Sequence, residues 1–333
     1  MLRIGMLSSW HVHAPGYARE IQSRSDSRIT AVWDEDPVRG RKWAADLGVP
    51  FEENLEAILG RSDVDGVVVN APTNRHAEVM VAAAKAGKHI FTEKVMALTV
   101  KECRAISEAV KQAGVKFCIS FPQRTWPVTL LAKQVMEDGL LGDVTSIRVR
   151  NAHSGAVAGW LPEHFYDPVA CGGGAMMDLG AHPMYLVRWL MGEPRRITSL
   201  FTSFVGKEVE DNAVALIEFA NKGIGVVETG FVSHSSPFAL ELNGSEGTFL
   251  VGGPERSIRL RSAKLEQNGS QGWIIPTRLP AALPSPMEQW VKGILENAPI
   301  HFGLEEGTQL TELMEGAMRS YRSGKQVEFP LTD

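Results

Sequence analysis

The sequence predicts two domains: an α/β domain with a parallel sheet, followed by an α+β domain with an open, mostly antiparallel sheet. Residues 1–121 alternate short apolar runs with helical patterns, which is typical of parallel strands joined by helices. Beyond them, strands of alternating apolar and polar residues follow one another through short turns, as in antiparallel hairpins. A chain of 333 residues is long enough for two separate cores. We therefore expect a first domain at 1–121 and a second at 122–333.

The composition is that of an ordinary globular protein with little net charge. The chain has 34 basic and 39 acidic residues, a formal net charge of −5 and no basic block, so we predict no nucleic-acid partner. Its three cysteines are too widely spaced for a zinc motif or a disulfide framework. No apolar run reaches the length of a membrane span, and the first ten residues are typical of a strand and not of a signal peptide. We expect a cytoplasmic protein without a membrane partner.

Five apolar runs of the first domain predict buried parallel strands, and four amphipathic stretches between them predict helices. The strands are Arg3–Leu7, Ile29–Trp33, Gly66–Asn70, Ile90–Thr92 and Val115–Ile119. The helices lie near 15–24, 37–47, 74–86 and 99–113. Asp36 followed by Pro37 is a typical helix start, and Thr99 with Glu102 predicts a capping box. Glycines predicted to cap the helix ends are Gly48, Gly87 and Gly114.

The second domain is predicted to form one sheet with helices on a single side. Helices are expected at 127–138, 286–296 and about 306–322, and strands at 145–150, 196–205 and 258–261. Two hairpins pair 213–219 with 224–231 and 238–242 with 248–251. The uncovered face would then carry Val214, Leu216 and Val226, too much apolar surface to leave in water. We therefore expect a homodimer or homotetramer built through that face.

The segment Cys171–Gly192 contains the most informative pair of polar residues. Three glycines precede an apolar stretch that predicts a single helix ending at Gly192. Asp178 and His182 are four residues apart, so a helix would place a carboxylate and an imidazole one turn apart on one face. Gly180 between them would leave that face bare for a ligand. An acid at a helix start and a hydrogen-bonded core histidine would explain the same pattern without any function.

Several motifs follow one another in the order of a known family. They are Asp65–His76 (DGVVVNAPTNRH), Ala86–Lys94 (AGKHIFTEK), Gly139–Asp143 (GLLGD), Gly172–His182, Asn243–Gly247 (NGSEG) and the closing GKQV. The chain resembles, nearly end to end, the glucose–fructose oxidoreductase/inositol dehydrogenase (Gfo/Idh/MocA) family of nicotinamide-dependent oxidoreductases. The resemblance implies a Rossmann-type first domain. It also implies hydride transfer between NAD(P) and a secondary hydroxyl of a sugar, an inositol or a glycoside.

By this resemblance, Lys94, Asp178 and His182 form the catalytic centre. Oxidation of an alcohol requires a base for the hydroxyl proton while hydride leaves for the nicotinamide, and histidine suits that role near neutral pH. Asp178 would orient the imidazole, and Lys94 would hydrogen-bond the reacting oxygen. Val95 stands where family members usually have proline, so the sequence leaves open whether the peptide before it is cis. Tyr185 replaces an acidic residue often found three positions after the histidine.

The first loop departs from the family, because Ser8–His13 (SSWHVH) replaces the glycine-rich fingerprint and is about three residues shorter. Serine hydroxyls and the following helix N-terminus would then bind phosphate. Asp34 is expected to accept both ribose hydroxyls and to repel a 2′-phosphate, which favours NAD over NADP, although Arg39 could pair with it. Ligands bind at the carboxyl ends of parallel strands. The predicted cofactor-binding residues are Ser8, Ser9, Trp10, His11, His13, Asp34, Arg39, Asn70, Pro72, His76, Glu93 and Lys94.

Polar and aromatic residues around the second-domain strands are expected to contact the substrate. They are Arg124, Trp126, His153, Trp160, Asp178 and His182. His11 and His13, with His182 as a third ligand, could make a metal site, but two alternating histidines on one loop are common, and we predict no metal.

Two other functions remain open from the sequence. An enzyme that retains NAD could use transient oxidation to eliminate or hydrolyse a glycoside, and a non-enzymatic sugar or nucleotide sensor could have this same fold. Release of NADH would separate the first alternative from a dehydrogenase. The presence of Lys94, Asp178 and His182 together argues against a sensor, which needs no base.

Overall fold

The computed structural model describes residues 1–332, and its N-terminal part forms a six-stranded parallel sheet. The strands are β1 (Leu2–Leu7), β2 (Ser27–Trp33), β3 (Phe51–Glu52), β4 (Gly66–Val69), β5 (His89–Thr92) and β6 (Phe117–Ile119). The helices are α1 (Ala14–Gln22), α2 (Pro37–Leu47), α3 (Leu55–Gly60), α4 (His76–Lys85) and α5 (Val100–Ala113). The strand order β3-β2-β1-β4-β5-β6 places a topological switch point between β1 and β4, so a ligand site is expected at the carboxyl ends of those strands.

The predicted helix signals of this part are confirmed. The Asp36 side chain accepts hydrogen bonds from the main-chain N–H groups of Val38 and Arg39, and Thr99 with Glu102 forms the capping box. Gly48 and Gly114 cap α2 and α5 with φ of 69° and 66°, a conformation that glycine adopts at no steric cost. Strand β3 and helix α3 were not predicted, because two and six residues are too few to show a period.

The remainder of the chain forms an eight-stranded sheet of mostly antiparallel strands. The strands are β7 (Val144–Ala152), β8 (Pro194–Thr202), β9 (Asn212–Phe219), β10 (Ile224–Gly230), β11 (Ala239–Gly244), β12 (Gly247–Gly252), β13 (Ser257–Ser262) and β14 (Val327–Glu328). The helices are α6 (Pro127–Glu137), α7 (Pro168–Cys171), α8 (Ala175–Asp178), α9 (Ala181–Met191), α10 (Ala263–Gln267), α11 (Pro286–Leu295) and α12 (Leu304–Ser323). The order is β13-β12-β11-β7-β10-β9-β8-β14, and of these neighbours only β7 and β10 run parallel in the described residues. The predicted fold class is confirmed.

The chain divides into two units, and each unit consists of two separate stretches of sequence. Met1–Phe121 and Pro284–Thr311 make the first unit, and Pro122–Leu283 and Glu312–Asp333 make the second. The sequence alone assigns residues 284–311 to the second domain, and the structure differs there. The reason is Trp290 on α11, which is fully buried and packs on Phe91 with ring centroids 5.9 Å apart.

The prediction of one continuous helix between Gly174 and Gly192 is wrong. Helix α8 ends at Asp178, and His182 lies in the first turn of α9. The main-chain N–H of Gly180 bonds to the carbonyl of Ala175, five residues back, so the regular helical ladder is interrupted. A Cβ at Gly180 would lie 2.4 Å from the Met176 carbonyl oxygen. The glycine is therefore needed for this tight turn and not to leave a bare face for a ligand.

The sheet of the second unit alternates buried and accessible side chains as predicted. On β9, Ala213 and Ala215 are buried while Leu216 is 49% exposed. Helix α9 packs against β7 and β10 on the buried side. Among residues 1–332, no helix combines the length and the apolar character that crossing a membrane requires.

Candidate functional site

The first unit brings the predicted cofactor residues to one edge of its parallel sheet. Ser8–His13 follow β1, Asp34 follows β2, Asn70 follows β4, and Glu93 with Lys94 follow β5. These segments contact one another directly. The main-chain N–H of His11 donates to the Asn70 carbonyl at 3.1 Å, which ties the first loop to the end of β4.

Asp34 is engaged by the protein on both oxygens. Its Oδ2 accepts from the main-chain N–H of Ser9 at 2.9 Å, from Ser9 Oγ at 3.0 Å and from Arg39 Nε at 3.0 Å. Its Oδ1 accepts from the main-chain N–H of Asp36 and from Arg39 Nη2. The pairing with Arg39 that the sequence left open is therefore present. A ribose hydroxyl could reach Asp34 only by replacing one of these donors.

Glu35 is a member of this edge that the sequence reading missed. Its Oε1 accepts from Ser8 Oγ at 3.0 Å and from Arg39, while its Oε2 is buried without a hydrogen-bond partner among the described residues. Burial and the neighbouring Asp34 carboxylate raise the pKa of Glu35. The signal in the sequence was the acidic run 34–36, which was interpreted only through Asp34.

Asn70 is the residue that best fits a bound nucleotide. Its side chain is fully buried, and within residues 1–332 neither its amide oxygen nor its amide nitrogen has a hydrogen-bond partner. A buried polar atom without a partner costs about 1–3 kcal/mol, so this amide is suited to a ligand at the sheet edge. Pro72 is also buried, at the start of a 3₁₀ turn.

His76 and Trp10 hold the edge together. The His76 ring lies 2.8 Å from the Val95 carbonyl oxygen at Nδ1 and 3.0 Å from the Ala71 carbonyl oxygen at Nε2. Both ring nitrogens are thus directed at main-chain groups, and burial lowers the His76 pKa. Trp10 is 7% exposed and its main-chain N–H donates to Ser8 Oγ. These contacts account for the two residues without a ligand.

Glu93 is the centre of a polar cluster at the ends of β1 and β5. Its Oε1 lies 2.7 Å from His13 Nδ1 and accepts from the Tyr17 hydroxyl, and its Oε2 accepts from the main-chain N–H of Lys94 at 2.9 Å. Burial acts to raise the pKa of Glu93, but the interactions with His11, His13 and Lys94 outweigh it and hold the pKa well below the usual range.

Tyr17 was not predicted as part of the site, because its position on α1 shows only a helical residue. Its hydroxyl also lies 2.8 Å from Ser120 Oγ, and burial with the Glu93 charge raises its pKa well above the usual range. Lys94 is 4% exposed, and its peptide bond to Val95 is cis.

In the second unit, Tyr185 anchors the predicted catalytic histidine. His182 is 7% exposed, and its Nδ1 lies 2.9 Å from Tyr185 Oη. That phenol oxygen in turn accepts from the main-chain N–H of Gln123 at 3.1 Å. Asp178 is half-buried at the end of α8. The sequence indicated only that Tyr185 replaced an acid, and the structure shows the contact that it makes.

Glu210 holds the main chain directly after the glycines 172–174, and the sequence analysis did not predict it as part of the site. It is 6% exposed, and it accepts from the main-chain N–H of Met176 through Oε1 at 3.0 Å and from that of Ala175 through its carbonyl at 2.8 Å. Burial raises the pKa of Glu210. No motif pointed to it, because it lies in a loop 32 residues after Asp178.

The predicted substrate residues of the second unit fall into two groups. Trp126 and Trp160 are 37% and 56% exposed, as expected for residues that contact a ligand. Arg124 stacks over the ring of Trp189 at 4.9 Å, and His153 stacks on Phe231 with ring centroids 5.2 Å apart. Aromatic neighbours within the unit therefore hold Arg124 and His153. The two exposed tryptophans have ring contacts as well, Trp126 with Phe238 at 5.7 Å and Trp160 with His153 at 4.6 Å between centroids.

Comparison with known proteins gives a consistent result for both units. Residues 8–121 match the model of the oxidoreductase family with an NAD-binding Rossmann fold, and residues 129–250 match the GFO/IDH/MocA C-terminal domain. The inositol 2-dehydrogenase of Rhizobium meliloti (strain 1021) is 24% identical over 340 residues, 98% of each chain. The scyllo-inositol 2-dehydrogenase (NAD(+)) of Bacillus subtilis (strain 168) is 28% identical over 88% of this chain and 86% of its own.

Solved structures show the same fold. A levoglucosan dehydrogenase in complex with NADH and L-sorbose superimposes with a TM-score of 0.84 at 22% identity, over 99% of both chains. The matched family models, at 8–121 and 129–250, together span most of the chain. The relatives named above are dehydrogenases, which disfavours the sensor and the glycoside-cleaving alternatives. The chain therefore belongs to the Gfo/Idh/MocA family and is an NAD-dependent dehydrogenase with a Rossmann-type first domain.

Proposed function

We propose that the protein oxidises a secondary hydroxyl of a sugar, an inositol or a glycoside and passes the hydride to NAD. The observation that carries the proposal is the buried His182 imidazole, anchored at Nδ1 by Tyr185 in the segment that also holds Asp178. Relatives of this chain are named inositol 2-dehydrogenase and levoglucosan dehydrogenase, and both names denote oxidation of a polyhydroxylated ring. NAD, when bound, supplies the hydride acceptor.

His182 is proposed as the base that removes the hydroxyl proton. Because Nδ1 is held by Tyr185, we assign proton transfer with the substrate to Nε2. Asp178 would stabilise the imidazolium that forms, in the way a carboxylate stabilises a nearby cation. These roles make the oxidation dependent on a neutral imidazole before the proton is taken.

Lys94 is proposed to hydrogen-bond the hydroxyl oxygen of the substrate, which gives up its proton while the carbon bonded to it gives up the hydride. Its ammonium group is buried, and the ionised Glu93 beside it in the sequence compensates the charge. A buried ammonium group loses competing water, which strengthens its effect on a developing negative charge. The lysine would therefore favour the alkoxide-like state of the substrate.

The nucleotide would be held by the first-unit edge through Asn70 and the acidic pair Asp34 and Glu35. Two adjacent carboxylates disfavour a 2′-phosphate, which supports NAD over NADP. Arg39 balances part of this charge, since it pairs with both carboxylates. The hydroxyls of Ser8 and Ser9 both bond to these acids, so phosphate binding would rest mainly on main-chain N–H groups of the loop.

The exposed indoles of Trp126 and Trp160 are proposed to form apolar faces for a sugar ring, together with Arg124 and His153.

We also propose a homodimer or homotetramer through the uncovered sheet face. Leu200, 72% exposed on β8, pairs with Val214 on β9, and Leu216 pairs with Val226. A monomer at micromolar concentration in light scattering would contradict the assembly.

A cytoplasmic location is proposed because the three cysteines are buried thiols without disulfides.

The test is an oxidation assay on the purified full chain with NAD and a panel of inositols, aldoses and levoglucosan, followed by NADH absorbance. We expect NADH to accumulate in solution with at least one polyol or sugar, and His182→Ala to abolish most of that signal. His301→Ala is the matched control, because this imidazole is exposed and bonds to Gln289 in the first unit. Glycoside cleavage without net NADH release would instead support the retained-cofactor alternative.

A further inference from the structure

We propose that His11, His13 and Glu93 bind a divalent transition-metal ion of the Zn²⁺ type at the sheet edge of the first unit. One ligand atom from each of these three side chains lies within 4.8 Å of the others. The two imidazole rings meet edge to face with centroids 4.7 Å apart. The sequence predicted no metal, because it showed only the two histidines and gave no sign that Glu93, 80 residues later, joins them.

The geometry requires only a small contraction. Ligand bonds of about 2.0–2.2 Å place ligand atoms roughly 3–3.5 Å apart, so the three side chains need to close by about 1 Å. His13 can move, since its side chain is 48% exposed. The main-chain N–H of His13 donates to His11 Nδ1 at 3.2 Å, and ligation through either nitrogen of His11 gives up that long bond. His13 Nδ1 and Glu93 Oε1, already 2.7 Å apart, would exchange a shared proton for the ion.

Hydrogen bonds already orient the Glu93 carboxylate, as is typical of a carboxylate that binds a metal ion. The Tyr17 hydroxyl and the main-chain N–H of Lys94 both donate to its carboxylate, and such outer contacts fix the orientation of metal-binding carboxylates. Its side chain is 2% exposed, so the negative charge faces little water. A dication between this carboxylate and the two imidazoles would compensate the charge at closer range than a protonated histidine does.

The ligand set selects the class of ion. Two imidazoles and one carboxylate suit Zn²⁺ and its first-row neighbours, whereas Ca²⁺ and Mg²⁺ prefer sets made of oxygen. Three protein ligands leave a coordination position for water or another small ligand. Both histidines lie in the short loop Ser8–His13, which stands in place of the glycine-rich fingerprint. The same loop therefore accounts for the missing glycines and supplies two of the three metal ligands.

The experiment uses the full chain, stripped of metal with a chelator and free of nucleotide. Zn²⁺ is titrated by calorimetry, and Co²⁺ is titrated by visible absorption, which reports nitrogen and oxygen ligation directly. The variants are His13→Ala, chosen because this side chain is half exposed, and Glu93→Gln, which keeps the shape of the side chain. His301→Ala is the control from the same unit. Thermal melts with chelator present show that each variant is folded, and His13→Gln replaces any His13→Ala protein that is not.

We expect one Zn²⁺ per chain, at least about tenfold weaker binding in His13→Ala and in Glu93→Gln, and unchanged binding in His301→Ala. The Co²⁺ spectrum should be lost in the first two variants. Absence of saturable one-to-one binding, or equal affinity in the His13 and Glu93 variants, would overturn the proposal. No turnover is measured, so the outcome is independent of the proposed dehydrogenase activity.

Discussion

Within residues 1–332, each unit contains one deeply buried glutamate next to its predicted site residues, and the two are stabilised in opposite ways. Glu93 is surrounded by His11, His13 and Lys94, and the interactions with these side chains keep its pKa well below the usual range. Glu210 is bonded by main-chain N–H groups around Met176, and burial raises its pKa. A buried carboxylate is costly in water-free surroundings, so its partners reveal its role.

The difference separates a site that can exchange its partners from a site that holds the backbone. The His13 side chain beside Glu93 is 48% exposed and can turn toward a nucleotide or a metal ion, because its contact with Glu93 does not fix the main chain. The main-chain donors around Glu210 do define it, since they fix the turn that carries Asp178 and His182. Under the proposed function, the chemistry of the second unit comes from the His182 imidazole and not from its buried acid.

The largest expected effect tests that last statement. His182→Ala should lower kcat by roughly 10²–10⁴-fold, the range for a general base, with little change in nucleotide affinity. Lys94→Ala should cost a similar factor, and the double variant should lose far less than the product, because both act on one proton transfer. Asp178→Asn should be milder. Steady-state kinetics with matched nucleotide titrations give these values. Normal turnover by His182→Ala would place the base elsewhere.

The next effect concerns the acids of the first unit. Asp34→Asn should weaken NAD binding by roughly tenfold, corresponding to about 1.5 kcal/mol for hydrogen bonds to a charged group, and should narrow the preference for NAD over NADP. Fluorescence titration of both nucleotides measures this change. Asp36→Asn is the control, since Asp36 caps α2 and makes no contact with Arg39 side-chain nitrogens among the described hydrogen bonds. An unchanged preference in Asp34→Asn would remove Asp34 from the nucleotide site.

A smaller effect is expected from the anchor of His182. Tyr185→Phe removes the oxygen that meets Nδ1 and should lower kcat roughly fivefold, the equivalent of one hydrogen bond of about 1 kcal/mol. The rate of oxidation should rise with pH near neutrality, as the His182 base loses its proton. A change in packing alone would leave the pH of this rise unchanged, whereas loss of the hydrogen bond to His182 should shift it. Tyr321→Phe is the control, because the Tyr321 ring on α12 is exposed, and it should leave kcat and the pH–rate profile unchanged. An unshifted rise in Tyr185→Phe would reduce Tyr185 to a packing residue.

Much of the fold could be predicted because its signals are local. Asp36 with Pro37, and Thr99 with Glu102, mark helix starts through neighbours within three residues, and the structure has them as predicted. The break between α8 and α9 was missed, because the apolar period continues across Gly180 while a close approach to Met176 interrupts the ladder. The same limit placed Trp290 in the wrong unit, since its contact with Phe91 joins residues 199 positions apart.

The site could be predicted by residue type but not by contact. Asp34 was interpreted as a ribose acceptor, and only the structure shows that Ser9 and Arg39 already bond to it. Tyr17 carries no motif, yet its hydroxyl donates to Glu93 and its ring meets that of Phe91 on β5 with centroids 5.0 Å apart. Long-range convergence of this kind leaves no periodic trace in one sequence. The expectation for Lys94, Asp178 and His182 rested on the family resemblance and awaits the kinetic test.

The smallest expected effect returns to the two glutamates and concerns pH. Because the folded pKa of Glu210 is raised, the folded protein binds its proton more tightly than the unfolded chain does. This contribution to the free energy of unfolding is fully present below the ordinary glutamate pKa and is lost as the pH rises through the folded value. Glu210→Gln keeps an oxygen for the Met176 N–H and cannot ionise, so it should abolish that decline.

The measurement is urea unfolding followed by tryptophan fluorescence from pH 4 upward, with Glu208→Gln as the matched control because Glu208 is exposed in the same loop. The free energy of unfolding of the native chain and of the control should fall in parallel above the ordinary glutamate pKa, while that of Glu210→Gln stays flatter. A glutamate compensated by cations, as Glu93 is, would give the reverse slope, with stability lost as the pH falls. Identical slopes in Glu210→Gln and Glu208→Gln would therefore end the distinction between the two buried acids.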